Sequence, residues 1–83
     1  MMCITLDRST GRSMGCRVGK DGVKLHITKI EADGLVVDWN SDNPDFVIEK
    51  GDIIMKVNGI ENDSTEMSKE CHKEQRLNLR ILK

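Results

Sequence analysis

Five short stretches of the chain carry apolar residues with a period near two, which is typical of strands. The clearest runs from Leu77 to Ile81, where every second residue is apolar and the residues between them, Asn78 and Arg80, are polar. A strand with this pattern buries one face and exposes the other. The remaining four predicted strands are the stretches 3–6, 13–18, 25–30 and 53–57.

The stretch from Ile53 to Val57 is the most apolar of the five and lies between two turn signals, a Gly-Asp pair and an Asn-Gly pair. Alternation places Ile53, Met55 and Val57 on one buried face. The opposite face mixes Ile54 with Lys56 and is expected to be partly covered. This pattern predicts the central strand of a small β-rich domain.

Two segments favour helices instead. The first, 35–40, places a Leu and a Trp at positions i and i+4. The second, 64–73, has only Met67 and Cys71 as apolar residues, again four apart. Asp63 precedes it, with a Glu three residues on, which is the spacing of a capping box in its Asp variant.

The predicted order is three strands, a helix, one or two strands, a second helix and a final strand. A chain of 83 residues forms one domain, 1–83, with a modest core. The segment from Gly19 to Gly22 is predicted to be a hairpin turn, because an Asp-Gly pair favours one. Strands stand at both ends, so the two termini are expected to pair or lie close together.

Charge and composition argue against several classes of function. A net charge of −1 gives no sign of binding to nucleic acid or to a membrane surface, and Trp39 and Phe46 are the sole aromatic residues. No apolar run approaches the ~20 residues that a membrane helix needs, so no membrane insertion is expected. Three cysteines, an odd number without a Cys-x-x-Cys pair, predict a reducing, cytoplasmic setting.

The sequence carries no recognisable catalytic, metal or cofactor motif. Cys71 and His72 are about 100° apart on the predicted helix and cannot ligate one ion together, and His26 is predicted to lie on an exposed strand face. No Ser or Cys has a recognisable catalytic His and acid. The Gly-rich stretch 11–17 lacks the Lys-Ser/Thr ending of a phosphate-binding loop. We therefore predict a protein that is not an enzyme and needs no cofactor.

Several motifs together resemble the PDZ domain family over nearly the whole chain. Residues 51–59, GDIIMKVNG, are similar to the family's Gly-Asp-x-Ile-Leu-x-Val-Asn-Gly strand. Residues 13–16, SMGC, resemble its Gly-Leu-Gly-Phe loop, with Cys16 where the family has Phe. Residues 25–40 resemble its third strand, turn and first helix. The segment 59–77 is a few residues shorter than usual, and its helix is more polar.

The resemblance implies an α+β, mostly β fold, namely a five- to six-stranded antiparallel β-sandwich or partly open barrel capped by two helices. PDZ domains bind the C-terminal tail of another protein as an extra strand between their second strand and second helix. The expected function is that of a monomeric adaptor or scaffold module in signalling. Its tail affinity would be micromolar, which corresponds to about 8 kcal/mol.

The resemblance also assigns the residues of a peptide site. The carboxylate of the tail is expected to sit on backbone N–H groups of the loop Ser13, Met14, Gly15 and Cys16, in the manner of an anion nest. Arg12 or Arg8 is expected to add long-range attraction. The groove is expected to be lined, together with Met14 and Cys16, by Arg17, Val18, Asp63, Ser64, Met67, Ser68 and Cys71.

Two details of this site follow from the family pattern. The first residue of the second helix usually reads the third residue from the end of the tail, and a His there accepts Ser or Thr. Here that residue is Asp63 or Ser64, so we predict little or no preference for Ser or Thr. Cys16 and Cys71 would lie on opposite walls, either as two free thiols or, if their Cα atoms approach within ~7 Å, as a disulfide that closes the groove.

Two other functions remain open at this point, after tail binding. The second is that of a PDZ-like regulatory domain in a larger protein, such as a protease or a kinase. The third is that of a structural module that docks to neighbouring domains and has no tail ligand, which the short, polar second helix favours.

Overall fold

A computed structural model describes all 83 residues and contains six strands and two helices. They are β1 (Met2–Asp7), β2 (Cys16–Asp21), β3 (Lys24–Ile30), α1 (Leu35–Asp42), β4 (Ile53–Val57), β5 (Ile60–Glu61), α2 (Ser64–Cys71) and β6 (Arg76–Leu82). The chain is therefore α+β and mostly β, as predicted. The order of the elements is also the predicted one.

The six strands form one antiparallel sheet in the order β1-β6-β4-β3-β2, with the short β5 paired to β4 alone. The first and last strands pair along their whole length, from Met2 opposite Ile81 to Asp7 opposite Arg76. The prediction that the two ends of the chain meet is thus confirmed. The sheet is open, because its two edge strands, β1 and β2, do not pair with each other.

One apolar cluster forms the core, to which both helices and most strands contribute. Alternate residues of β6 are buried in it, as the sequence pattern predicts. The cluster consists of Ile4, Leu6, Leu25, Ile27, Val36, Ile48, Ile54, Val57, Met67, Cys71, Leu77, Leu79 and Ile81. Since almost no aromatic side chain takes part, the core is built from aliphatic and sulfur-containing residues.

The predicted inward face of β4 is correct at Val57 and wrong at its other two positions. Ile54 and Val57 are fully buried, whereas Ile53 and Met55 are half-buried. Ile54 pairs with Ile81 and Lys56 pairs with Arg80, so β4 has one residue more than β6 over this interval. This β-bulge at Met55 reverses the alternation, and simple period-two counting cannot detect it.

The turn between β2 and β3 also differs from the prediction. β2 continues through Gly19 and Lys20, and the two-residue turn is Gly22-Val23, because Asp21 pairs with Lys24. A second irregularity lies in β3, where Thr28 is the extra residue opposite Arg17 and Val18. This bulge explains how Ile30 packs against the core although its spacing from Ile27 is odd.

The buried carboxylate of Asp52 organises the turn that leads into β4. It accepts a hydrogen bond from the Glu49 N–H at 2.9 Å and one from Lys83 Nζ at 2.9 Å. The Asp52 carbonyl accepts the N–H of Ile27 of β3, and the Gly51 N–H donates to the Ile27 carbonyl. The Gly-Asp turn signal of the sequence therefore corresponds to a closed network of hydrogen bonds.

Both helices are eight residues long, and neither is long and apolar enough to cross a membrane. Asp63 caps α2, since its carboxylate accepts the N–H of Glu66 at 3.1 Å, so the predicted cap is confirmed. α2 ends at Cys71, two residues before the predicted end. α1 extends two residues beyond its predicted end, to Asp42.

Candidate functional site

The strand β2 has an unpaired edge, and α2 lies along it. In the sheet β2 pairs only with β3, so the backbone groups on its other side have no strand partner. Lys20 Nζ on β2 donates to Thr65 Oγ1 on α2 at 3.1 Å, and Ser64 Oγ donates to the carbonyl of Gly22 at 2.9 Å. These contacts define the β2–α2 groove, which runs between β2 (Cys16–Asp21) and α2 (Ser64–Cys71).

The loop before β2 is tied to the first helix through its carbonyl groups. The carbonyls of Ser13 and Met14 accept the N–H groups of Leu35 and Val36 at 3.0 and 2.8 Å, and the carbonyl of Gly15 accepts the N–H of Glu31 at 2.7 Å. The Met14 N–H donates to no acceptor in the protein. The loop is therefore anchored by its acceptors; the Gly15 N–H donates to Ser13 Oγ at 3.2 Å, which leaves the Met14 N–H as the free donor near the end of the groove.

Two glycines allow this loop to approach α1 so closely. Gly15 and Gly34 have φ values of +77° and +133°, in the region that favours glycine. A Cβ on Gly15 would lie 2.5 Å from the carbonyl oxygen of Asp33, and a Cβ on Gly34 would lie 2.4 Å from the Cα of Gly15. No side chain fits at either position without displacement of backbone. The sequence places Gly15 in the predicted carboxylate loop and assigns no role to Gly34.

The two arginines considered for carboxylate attraction have different surroundings. Arg12 forms ion pairs with Asp33 and Asp38, so its charge is offset by two carboxylates. The hydrogen bonds that Arg12 donates to Asp38 and to Asp33 raise the pKa of Arg12. Arg12, which the resemblance assigned to the site, is thus a less suitable anion partner than Arg8.

Arg8 lies between the loop and the end of α2. Its Nη1 donates to the carbonyls of Cys71 and Lys73 at 3.0 and 3.3 Å, and its Nε donates to the carbonyl of Arg12 at 3.0 Å. It makes no ion pair with a carboxylate. A guanidinium held by backbone carbonyls, without a carboxylate ion pair, therefore lies at the loop end of the β2–α2 groove.

The structure brings together the five apolar side chains that are predicted to line the groove. Met67 and Cys71 of α2 belong to the buried core, while three half-buried side chains of the loop and β2 pack against it: Met14, Cys16 and Val18. Both thiols are free. The groove thus has an apolar floor that is continuous with the core of the domain.

The electrostatic environment of the two thiols makes them weak nucleophiles. Burial, aided by the charge of Glu31, raises the pKa of Cys16 to about 11. Burial, followed by the proximity of Cys16, raises the pKa of Cys71 to about 12. Thiolates attack disulfides and oxidants, so two protonated thiols exchange slowly at neutral pH.

Two polar residues assigned to the groove have structural roles, of which the sequence predicted only the helix cap. Asp63 caps α2 and Ser64 is buried against Gly22. Both side chains are thus engaged within the protein, and Thr65 is the residue of α2 that contacts β2 through Lys20. Arg17 is exposed and pairs with Glu31 at 3.0 Å, and Ser68 is half-buried on α2.

The histidines are outside this site. His72 is exposed just after α2, whereas His26 is half-buried on β3, opposite Gly19, with its Nδ1 buried and without a partner. The expectation that His26 lies on an open surface is therefore only partly met. No group of three His, Cys, Asp or Glu residues is placed to hold a metal ion.

Two surface cavities lie away from the groove. One, of about 380 Å³, is mostly apolar and is lined by Met1, Met2, Cys3, Ile4, Trp39, Asn43 and Phe46. The other, of about 360 Å³, is lined by residues of β1, β4 and β6 together with Gly59. The β2–α2 groove contains neither cavity, because its two walls are already in contact.

The comparisons with known proteins add no family to this description. The chain matches no family model, and no curated protein matches its sequence. The resemblance to PDZ domains therefore stays a prediction made from the motifs.

Proposed function

We propose that this chain is a PDZ-like interaction module that binds the C-terminal tail of a partner protein in the β2–α2 groove. The observation that carries the proposal is the unpaired edge of β2 lying beside α2, with the loop Ser13–Gly15 anchored by its carbonyls at one end. An unpaired edge is a template for an added strand. A helix alongside it provides the second wall that a peptide needs.

The tail would contribute backbone hydrogen bonds to β2 and place its terminal carboxylate near the Met14 N–H. The charge of Arg8 would attract the carboxylate to that end of the groove. The last side chain would enter between the apolar residues of β2 and α2. Since Met14 and Met67 are unbranched and adaptable, the pocket would open through their rearrangement.

Tail specificity is expected to depend on Lys20 and Thr65. Because the side chains of Asp63 and Ser64 are engaged, we expect no selection for Ser or Thr at the third position from the end of the tail. A tail whose residue beside Lys20 is Glu should instead bind more tightly than the same tail with Gln at that position. The reason is that Lys20 has no carboxylate partner within the protein. Exposed ion pairs contribute about 0.2–1 kcal/mol, so we expect a difference of up to about fivefold in Kd.

A panel of peptides that differ at one position measures this preference by fluorescence polarisation. In the variant Lys20→Glu, the tail with Gln should bind more tightly than the tail with Glu. Lys50→Glu, which changes an exposed residue outside the groove, is the matched control and should leave the order unchanged. An identical preference in the wild type and Lys20→Glu would remove Lys20 from the specificity site.

The proposal as a whole is tested by an NMR titration with a library of random tails, as free acids and as C-terminal amides. We expect the free acids to cause saturable changes in the chemical shifts of Met14–Cys16 and of Ser64–Cys71. The amides should bind at least about tenfold more weakly, because they lack the charge that Arg8 and the loop attract. Equal shifts with acid and amide would contradict carboxylate recognition.

A second candidate function is supported by the closed state of the groove. Met67 and Cys71 are buried, and Lys20 and Thr65 join the two walls. These contacts also suit a structural or regulatory module of a larger protein that takes no tail. Absence of any shift at millimolar peptide would favour this second candidate.

A further inference from the structure

A row of side chains crosses the sheet on the face turned away from the core. Cys3 of β1 lies opposite Arg80 of β6, and Arg80 lies opposite Lys56 of β4. Their neighbours along the strands, such as Ile4, Ile81 and Val57, are buried on the other face. The row therefore presents a thiol and two cations to solvent.

This row lines the cavity of about 360 Å³ described above, which we call the β1–β6–β4 groove. The remaining lining residues are Ile4, Thr5, Gly59, Asn78 and Leu79. No carboxylate side chain is among them. The volume falls within the range of small-molecule sites and exceeds what a single small ion occupies.

Of the two cations of the row, only Lys56 has a carboxylate nearby, and that contact is long. Like charges directly opposite each other in a sheet repel. Lys56 has Glu61 at 4.0 Å, at the limit of an ion pair, and Arg80 has no ion pair or side-chain hydrogen bond. An anion that bridges Arg80 and Lys56 would relieve this repulsion.

A neutral donor points to the same type of ligand. The hydroxyl of Thr5 donates to Asn78 Oδ1 at 2.9 Å, and this bond fixes the orientation of the amide. Asn78 Nδ2 then has two hydrogens without an acceptor in the protein. The groove consequently offers two cations and one amide donor to a ligand. The amide oxygen of Asn78 already accepts the hydroxyl of Thr5.

We propose that the β1–β6–β4 groove binds a small phosphorylated molecule through its phosphoryl group. A phosphoryl dianion has three strong acceptor oxygens and suits one guanidinium, one ammonium and one amide donor together. The volume beyond the phosphoryl group accommodates the organic part of the ligand. This site lies on β1, β6 and β4, away from β2, and does not depend on tail binding.

The test is an NMR titration of the ¹⁵N-labelled protein with glycerol 2-phosphate, inorganic phosphate and succinate at constant ionic strength. Saturable shifts are expected at the Asn78 side-chain amide and the Gly59 backbone amide, with glycerol 2-phosphate binding most tightly. Arg80→Gln and Lys56→Gln should each weaken binding about tenfold. Arg76→Gln, a change of the same kind on the same strand but outside the groove, should have no effect.

A second measurement uses the unaltered protein. Cys3 is the one exposed thiol, so iodoacetamide reports on the end of the groove where it lies. Saturating glycerol 2-phosphate should slow alkylation of Cys3 severalfold. Linear shifts without saturation, equal binding of succinate, an equal loss in Arg76→Gln or unchanged alkylation would each overturn the proposal and indicate an adventitious ion only.

Discussion

Replacing Gly34 by alanine is expected to lower the free energy of unfolding by about 3 kcal/mol and to abolish tail binding. The new Cβ would lie 2.4 Å from the Cα of Gly15, and Gly34 has a φ of +133°. Overpacking and an unfavourable backbone conformation each cost about 1–3 kcal/mol. The contact is between two backbones, so relief requires the loop 13–15 to move away from α1.

Gly51→Ala provides a matched control for this effect. Gly51 also has a positive φ, +94°, but a Cβ there would meet nothing within 4 Å. Its cost should be limited to backbone strain, about 1–2 kcal/mol, with tail affinity retained. Urea unfolding and peptide titration measure both quantities. An equal loss of stability in both variants, or full tail affinity in Gly34→Ala, would show that the loop does not depend on this contact.

Replacing Met67 by alanine is expected to lower the free energy of unfolding by about 2–5 kcal/mol, the range for deletion of a large core side chain. Met67 is fully buried and occupies the interior face of α2. The resulting cavity would lie beneath the β2–α2 groove. Tails that end in a bulkier residue should therefore gain affinity relative to those that end in Val.

Met55→Ala is the informative comparison for Met67. Alternation along 53–57 predicts that Met55 is buried, whereas the β-bulge leaves it half-buried. We expect its replacement to cost less than about 1.5 kcal/mol. Unfolding by urea, monitored by the fluorescence of Trp39, measures both variants. Similar losses for Met55 and Met67 would contradict the bulge.

Much of the fold is predictable because each element has a strong local signal. The strand from Leu77 to Ile81 alternates since one face is buried, and α2 begins after Asp63 because that side chain caps it. The inward face of β4 is not predictable in this way. The extra residue of β4 is defined only by its pairing with β6. Pairing between strands that are distant in sequence does not change the pattern of apolar residues within either strand.

The site is less predictable than the fold, because it depends on which groups meet across long separations. The Asp-Gly pair that follows Lys20 predicts a turn there, yet Lys20 lies on β2 beside Thr65. Arg12 and Arg8 are equivalent by position, and only the structure shows that Arg12 is balanced by Asp33 and Asp38. The sequence indicates the importance of Gly34 only through its position directly before an apolar helix.

The central claim is that a tail adds as a strand to β2, and amide hydrogen exchange tests it most directly. The sheet has two edges, so β1 serves as an internal control for β2. With a saturating tail peptide, the β2 amides that do not pair with β3 should exchange at least about tenfold more slowly, while those on the outer side of β1 are unchanged. Unchanged exchange along β2, or equal slowing at both edges, would contradict strand addition.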